Sequence, residues 1–289
     1  MKSIIQGNTA VFGSVSAVIA VFCFSANDVA IKFISDDYAL HLVILIRSLV
    51  GLTVLFLFII PFSGGLQTLH TNRLGLHLLR GFCVVFANIT FFLGLAALPL
   101  AEGVAIFFIS PLLITVFSVL FLKESVGPRR WAAVVIGLIG VLVILRPGSA
   151  SFQTASLLPL LAAFGYAALH MLTRYIGKTE SAASMSFYIQ VTFLIICLAF
   201  GLVIGDGKFS GGGDPSLEFL FRAWSLPSSG HYLILILIGA SSAFGGFFIS
   251  QAYRISEAAV VAPFEYIALP IAIFWGVVIF GDWPDKTTF

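Results

Sequence analysis

The sequence predicts an all-α polytopic membrane protein, built as an inverted repeat of five plus five spans with nine spans visible and the tenth missing. Of its 289 residues, 60% are apolar and only 10% are charged, whereas a soluble domain carries about 25% charged residues. Apolar runs of about twenty residues, the length that crosses the hydrocarbon core, recur along the chain. An internal duplication, described below, predicts the repeat.

The apolar runs define nine predicted spans. Their approximate bounds in chain order are 11–34, 39–61, 73–98, 101–122, 130–146, 154–177, 183–205, 231–253 and 257–280. Most connections are short, so neighbouring spans should pack as antiparallel hairpins. The segment 206–230 is the exception, because it opens with a flexible Gly- and Ser-rich stretch. It ends in LEFLFRAW, 217–224, which is too short to cross a bilayer and which we predict to be an interfacial helix.

Two internal matches indicate a duplication. Residues 20–34 match residues 162–176, 142 positions later, and the identical pairs are Ala20/Ala162, Phe22/Phe164, Ala26/Ala168 and Ile34/Ile176. A second match, displaced by 157 positions, aligns spans 3 and 4 with spans 8 and 9; its pairs are Phe91/Phe248, Ala101/Ala258, Val104/Val261, Ala105/Ala262, Phe107/Phe264 and Leu112/Leu269. Since five spans separate the copies, an odd number, the two halves must have opposite orientations in the membrane.

Such inverted repeats are typical of secondary transporters, whose substrate sites lie near the bilayer midplane between the repeats. We therefore predict a first repeat at residues 1–150, spans 1–5, and an incomplete second repeat at residues 151–289, spans 6–9. Ten spans are needed for two full repeats, and the chain stops where the first half has its fifth span. We expect truncation of the tenth span; the alternative is a second half that is naturally incomplete.

The distribution of Lys and Arg near span ends predicts a cytoplasmic N-terminus. Nine of these residues would lie on the N-terminal side: Lys2, Arg73, Arg80, Lys123, Arg129, Arg130, Arg174, Lys178 and Arg254. Five would lie on the other side: Lys32, Arg146, Lys208, Arg222 and Lys286.

Span 1 carries polar residues inside an apolar segment. Asp28 and Lys32 are four residues apart and project from one helix face, and Asn27 precedes Asp28. Because ionisable groups inside a span are costly, they mark a pathway or a coupling site by default. The alternative is a structural ion pair near the outer end of span 1, with Lys32 reaching the membrane surface. His170 occupies the position equivalent to Asp28 in span 6, so an Asp28–His170 pair is a candidate for proton coupling; the alternative is a packing histidine.

Span 9 contains two prolines, Pro263 and Pro270. Each removes a backbone donor, and the carbonyl groups that this frees are tolerated within a membrane only where they are satisfied again or line a cavity. Pro111 in span 4 repeats this pattern. We predict broken helices with a gating role at these three prolines.

Glu265 and Tyr266 lie between the prolines of span 9. An acid without a partner is expensive there, so we predict that Glu265 faces a cavity and contacts substrate or a proton. The alternative is a buried pair with Arg254 or Gln251. If the ligand is a cation such as a sulfonium, aromatic faces and Glu265 would suit it.

The remaining candidates are three amides within spans, Asn88, Gln190 and Gln251, whose alternative role is hydrogen bonding between helices. The aromatic pairs Phe24/Tyr166 and Phe107/Phe264, which the repeat aligns, are candidates for the walls of a central pocket. The full predicted substrate-binding set is Phe24, Asn27, Asn88, Phe107, Tyr166, Gln251, Phe264, Glu265 and Tyr266. The predicted coupling or gating set is Asp28, Lys32, His170, Pro111, Pro263 and Pro270. Cys23, Cys83 and Cys197 fall inside apolar runs, which suggests neither a disulfide framework nor a metal site. We predict no catalytic residue and no cofactor.

The block at 99–148 has a mid-span Pro111, a Lys123-Glu124 exit and a Gly-rich fifth span ending in Arg146-Pro147. With these features the chain resembles the drug/metabolite transporter superfamily, specifically its EamA-type members. SANDVAIKFI at 25–34, LLRGF at 78–82 and the segment 262–289 are similar to the S-adenosylmethionine uptake carriers of this superfamily. The resemblance implies the duplicated fold, transport of a small metabolite and, with the predicted topology, a bacterial inner membrane.

The leading functional prediction is a secondary transporter that works by alternating access on an amino-acid-like or S-adenosylmethionine-like substrate. The alternatives are an exporter of amino acids or drugs, an integral membrane enzyme that modifies lipids, and a passive pore. An enzyme would need a convergent His/Asp/Cys cluster, and the five histidines are scattered along the chain. The partners expected are a small-molecule substrate and the bilayer, and both a monomer and a homodimer are compatible with the sequence. A net charge of +2 gives no reason to expect nucleic acid.

Overall fold

A computed structural model of the chain describes residues 2–124, 126–128, 131–132, 135–136, 139–140 and 153–283. Within these residues, eight helices are long and apolar enough to cross a membrane. They agree with eight of the nine predicted spans to within two residues at each end. The prediction of an all-α polytopic membrane protein is confirmed. The predicted fifth span, 130–146, and the chain from residue 284 onward lie outside the described residues.

The membrane explains why these segments are helical, because a helix satisfies its own backbone hydrogen bonds where no water is present. The α-helices in chain order are α1 Lys2–Phe33, α2 Leu40–Val54, α3 Leu74–Ala97, α4 Leu100–Phe107, α5 Ile109–Leu122, α6 Leu157–Ile176, α7 Ala182–Ile204, α8 Pro215–Phe221, α9 Tyr232–Ile255, α10 Ala258–Val261 and α11 Ala268–Trp275. Two π-helical turns, Leu55–Ile59 and Gly276–Phe280, extend α2 and α11; the sequence analysis did not predict them.

The helices pack mainly between the two predicted repeats. Helix α1 lies along α9, α3 lies along α6, and α2 contacts both α7 and α9. Glycine permits close approach between the halves: a Cβ atom on Gly245 of α9 would stand 2.8 Å from the ring of Phe24 on α1. The interface between the halves is therefore broad, and any cavity within it has walls from both halves.

Two spans are broken, as the prolines predicted. Span 4 is interrupted at Phe108 between α4 and α5, and Pro111 lies in the first turn of α5, where a missing N–H costs little. The last described span changes from α10 to a 3₁₀-helix at Ala262–Ile267 before α11 begins. The two breaks meet, because the rings of Phe108 and Tyr266 are 5.2 Å apart.

Helix α8 is the short segment predicted to lie at the membrane interface. It begins at Pro215, with the Asp214 carboxylate accepting from the Leu217 N–H as an N-cap. Residues at both of its ends bond to the transmembrane helices. Ser216 donates to the carbonyl oxygen of Leu93 at 2.7 Å, and Arg222 donates to a carbonyl oxygen just beyond α1. The helix therefore covers the ends of α1 and α3 on the side opposite the N-terminus.

Candidate functional site

A central cavity of about 140 Å³ lies between the two halves. One water needs only about 10–15 Å³ on the same measure, so the cavity has room for a small organic solute. Its walls come from α1, α2, α3 and α4 of the first half and from α6, α7, α9 and the broken last span of the second half.

The structure brings together eight of the fifteen predicted site residues on this wall: Phe24, Asn27, Asp28, Asn88, Phe107, Tyr166, His170 and Glu265. The other seven lie outside the cavity lining: Lys32, Pro111, Gln251, Pro263, Phe264, Tyr266 and Pro270. Of the two aromatic pairs that the repeat aligns, Phe24, Tyr166 and Phe107 lie on the cavity wall. Phe264, the partner of Phe107, lies off the wall and is 36% exposed.

Lys32 has a structural environment. Its ammonium group donates to the carbonyl oxygens of Leu95 and Leu98, both at 2.8 Å. These carbonyls belong to the C-terminal end of α3, where a cation also interacts favourably with the helix dipole. Lys32 therefore bonds to main-chain carbonyls and lies off the cavity lining, and its coupling or gating role stays a prediction.

Glu265 lies at the centre of an aromatic cluster. Its carboxylate is 6% exposed and accepts a hydrogen bond from the Tyr253 hydroxyl, and the Tyr166 hydroxyl also faces it. The His170 ring stacks on Tyr253 at 4.1 Å and meets the edge of Tyr166 at 4.2 Å. The alternative, a pair with Arg254 or Gln251, is not what the structure shows. Those two side chains bond to each other at 3.0 Å instead.

Asp28 and His170 share the cavity wall without touching each other. Asp28 accepts a bond from the Asn27 amide at 3.3 Å. Both ring nitrogens of His170 are buried and, within the part of the chain that the structure describes, have no hydrogen-bond partner. The predicted Asp28–His170 pair is thus a pair of groups on one cavity, with no direct bond between them.

Two arginines also reach the cavity wall. Arg47 of α2 is 3% exposed, donates to the Asn88 amide oxygen at 2.9 Å and lies 4.5 Å from the Phe193 ring. Arg80 of α3 is 1% exposed and donates to Thr173 at 3.0 Å and to the Met185 carbonyl oxygen at 3.2 Å.

The sequence analysis missed Arg47 and placed Arg80 wrongly. Arg80 was counted among cytoplasmic residues, but it is buried because its long side chain crosses to α6 and α7. Arg47 interrupts the apolar run LVILIRSLV. The rule that singled out Asp28, that an ionisable group within a span marks a site, would have found Arg47 as well.

Comparison with known proteins identifies the family of the chain. The EamA-like transporter family matches residues 11–146. The chain is 30% identical over 264 residues to the S-adenosylmethionine uptake transporter of Rickettsia conorii, covering 91% of this chain and 83% of that protein. It is 32% identical over 240 residues to the riboflavin transporter of Vibrio cholerae, covering 81% and 74% respectively.

The chain belongs to the EamA-like transporter family. A crystal structure of a protein with 15% identity superposes with a TM-score of 0.70, covering 96% of this chain and 91% of that one, which supports the fold. The family relatives are named as transporters, and they also include the pseudopaline exporter of Pseudomonas aeruginosa, at 24% identity over 96% of this chain and 90% of that one. The protein is therefore an integral membrane transporter of small molecules and not an enzyme.

Proposed function

We propose that this EamA-like protein is a secondary active transporter that carries an amino-acid-like or S-adenosylmethionine-like metabolite through the central cavity by alternating access. The observation that supports it best is the composition of the wall. Two acids, two arginines and several aromatic rings surround a space of about 140 Å³ between the halves. Charged groups of both signs suit a solute that itself carries both signs.

The aromatic cluster suits the cationic part of such a solute. A sulfonium or ammonium group is attracted to aromatic faces, and the Glu265 carboxylate between Tyr253 and Tyr166 adds a negative charge. Phe107 and Phe91, whose rings are 4.8 Å apart, provide a further apolar surface for a flat base or side chain.

Transport would follow from rocking of the two predicted repeats, residues 1–150 and 151–289, around this site. Asp28 is the proposed coupling acid, with His170 as a second proton-binding group on the same cavity. The broken segments around Pro111 and around Pro263 and Pro270 are the proposed gating elements, since their helices are already interrupted there. The proposed location is a bacterial inner membrane with the N-terminus in the cytoplasm.

Riboflavin is the second candidate substrate, because relatives bearing that name match at similar identity. Its flat, uncharged ring system would pack against the aromatic rings but would offer no charged group to Asp28 and Arg47. The charged wall therefore favours a zwitterionic solute. Export rather than uptake is the alternative direction, as in the pseudopaline exporter relative.

Counterflow in proteoliposomes tests the proposal. Vesicles are loaded with an unlabelled candidate and offered the same compound labelled, with S-adenosylmethionine, aromatic and small neutral amino acids, and riboflavin tested in parallel. We expect transient accumulation of label for S-adenosylmethionine or an amino acid and none in protein-free vesicles. Accumulation of riboflavin alone would overturn the substrate class and keep the mechanism. No accumulation of any compound would count against the whole proposal.

A further inference from the structure

The cavity contains a buried positive charge that nothing in the described protein neutralises by direct contact. Within the described residues, the Arg47 guanidinium forms one hydrogen bond, from Nη1 to the neutral amide oxygen of Asn88, while its Nε has no partner. Asp28 is near enough for its charge to interact with Arg47, yet its own hydrogen bond comes from Asn27.

A buried charge that lacks an ion pair is strongly unfavourable. The Phe193 ring at 4.5 Å and the Phe92 ring at 6.0 Å give partial compensation through their faces. They also exclude water from that side of the guanidinium. Arg47 also lines the cavity, so an anion that enters it can approach the guanidinium.

The neighbouring groups hold Arg47 in position and favour an organic acid over a simple ion. Asn88 fixes one end of the guanidinium from α3. Gln190 of α7 donates to Ser242 at 3.2 Å and leaves its buried carbonyl oxygen without a partner in the described chain. Gln190 lines the cavity together with Arg47, and the planar fork of an arginine matches a carboxylate in a bidentate manner.

We propose that Arg47, positioned by Asn88, binds the carboxylate of the transported solute, so that the substrate class is a carboxylate-bearing zwitterion. The proposal rests on the proposed function. Asp28, on the wall of the same cavity, is the group of opposite charge for the solute's ammonium. A proton and a substrate ammonium would then compete for one carboxylate, which is compatible with its proposed coupling role.

The test compares two ligands that differ only in the carboxylate: S-adenosylmethionine and its decarboxylated form. Phenylalanine and phenethylamine form a second matched pair. Dissociation constants are measured on the purified full chain in lipid nanodiscs. Charge-assisted hydrogen bonds to a carboxylate raise affinity by roughly 10- to 100-fold. The parent should therefore bind each carboxylate-bearing ligand at least about tenfold more tightly than the amine that lacks the carboxylate.

Arg47→Gln should remove this preference by weakening the acid alone, with the amine bound as by the parent. Arg47→Lys keeps the positive charge but lacks the planar guanidinium, so it should retain part of the preference for the acid. Arg174→Gln is the matched control, since Arg174 lies near the end of α6 beside Glu124 and off the cavity. Binding of the amine shows that each variant is folded. If Arg47→Gln does not fold, the ratio of the parent's dissociation constants for amine and acid decides whether the carboxylate is recognised.

The outcomes separate the two proposals. Equal affinity of the parent for acid and amine would overturn the carboxylate site while leaving transport of this class intact. A preference that survives in Arg47→Gln would also overturn it. Failure of the parent to bind any of the four compounds would overturn the proposed substrate class itself, and the Arg47 site with it.

Discussion

The Glu265 cluster offers the sharpest test of the candidate site, because two conservative substitutions affect its stability and its binding in different ways. Tyr253→Phe removes the hydroxyl that donates to the Glu265 carboxylate and keeps the ring that stacks on His170. Glu265→Gln keeps the shape and an oxygen that can still accept from Tyr253, but it removes the charge.

The structure gives an order of magnitude for each effect. Glu265 is 6% exposed, so loss of the hydroxyl leaves a buried carboxylate with one partner fewer. A hydrogen bond to a charged group contributes about 1.5–3 kcal/mol, and Tyr253→Phe should lower the free energy of unfolding by that amount. In the Glu265→Gln background the same substitution removes a neutral hydrogen bond and should cost about 0.5–1.5 kcal/mol.

Unfolding free energies of the parent, both single variants and the double variant should be measured by reversible unfolding in mixed detergent micelles. Tyr175→Phe is the matched control, because Tyr175 is 56% exposed on α6 and its hydroxyl should change stability by less than about 0.5 kcal/mol. The expected coupling between Tyr253 and Glu265 is about 1 kcal/mol. A coupling near zero would show that the charge of Glu265 adds nothing to this hydrogen bond, and the absence of any cost for Tyr253→Phe in both backgrounds would refute the bond itself.

Binding separates a structural acid from a substrate contact. If Glu265 faces the cationic part of the solute, Glu265→Gln should weaken S-adenosylmethionine binding by roughly 10- to 100-fold, while Tyr253→Phe has a smaller effect. Parent-like binding by a folded Glu265→Gln protein would remove Glu265 from the proposed site.

The remaining predictions concern coupling, helix capping and packing. Asp28→Asn should abolish accumulation driven by a pH gradient, while counterflow persists only at higher substrate concentration because the solute's ammonium loses one of its acids; gradient-driven uptake at the parental rate would show that Asp28 does not couple transport to protons. Lys32→Met should reduce the free energy of unfolding by about 1–3 kcal/mol, since two carbonyl oxygens at the end of α3 lose their donor. Ligand affinity, measured by titration, should stay unchanged. Gly239→Ala should cost about 1–3 kcal/mol, because its Cβ would lie 2.4 Å from Val50 Cβ. The matched Gly246→Ala meets only Ser186 Oγ at 3.2 Å and should change stability less; equal effects in denaturant unfolding would contradict the packing account.

The spans could be read from the sequence because the membrane imposes a simple physical constraint. A segment such as 183–205 must be apolar and about twenty residues long to cross, and the structure has Ala182–Ile204 there. Proline chemistry likewise located the breaks at span 4 and at the last span. The π-helical turns at Leu55–Ile59 and Gly276–Phe280 were not predictable, because no proline or charge marks them.

The cavity wall was predictable only where a residue was unusual in its span or was paired by the repeat. Asp28, Glu265 and Tyr166 met one of these conditions. Gln251 met the first condition and yet lies off the cavity, where its side chain accepts a hydrogen bond from Arg254 on the same helix. Sequence position gives the helix and the approximate depth of a residue. The rotation of the helix depends on packing against several neighbours at once, which no single span encodes.

The predicted duplication aligns residues of the two halves that differ in chemistry. The partner of Asp28 in the second half is His170, and the partner of Glu265 in the first half, 157 positions earlier, is Phe108. A fully symmetric inverted repeat would present the same groups at mirrored depths and would bind a solute equally well in two opposite orientations. Because each acid is aligned with a residue of different chemistry, the two halves do not present the same groups to the cavity. A zwitterionic solute should therefore bind in one orientation, with its carboxylate toward Arg47 and its cationic group toward the acids.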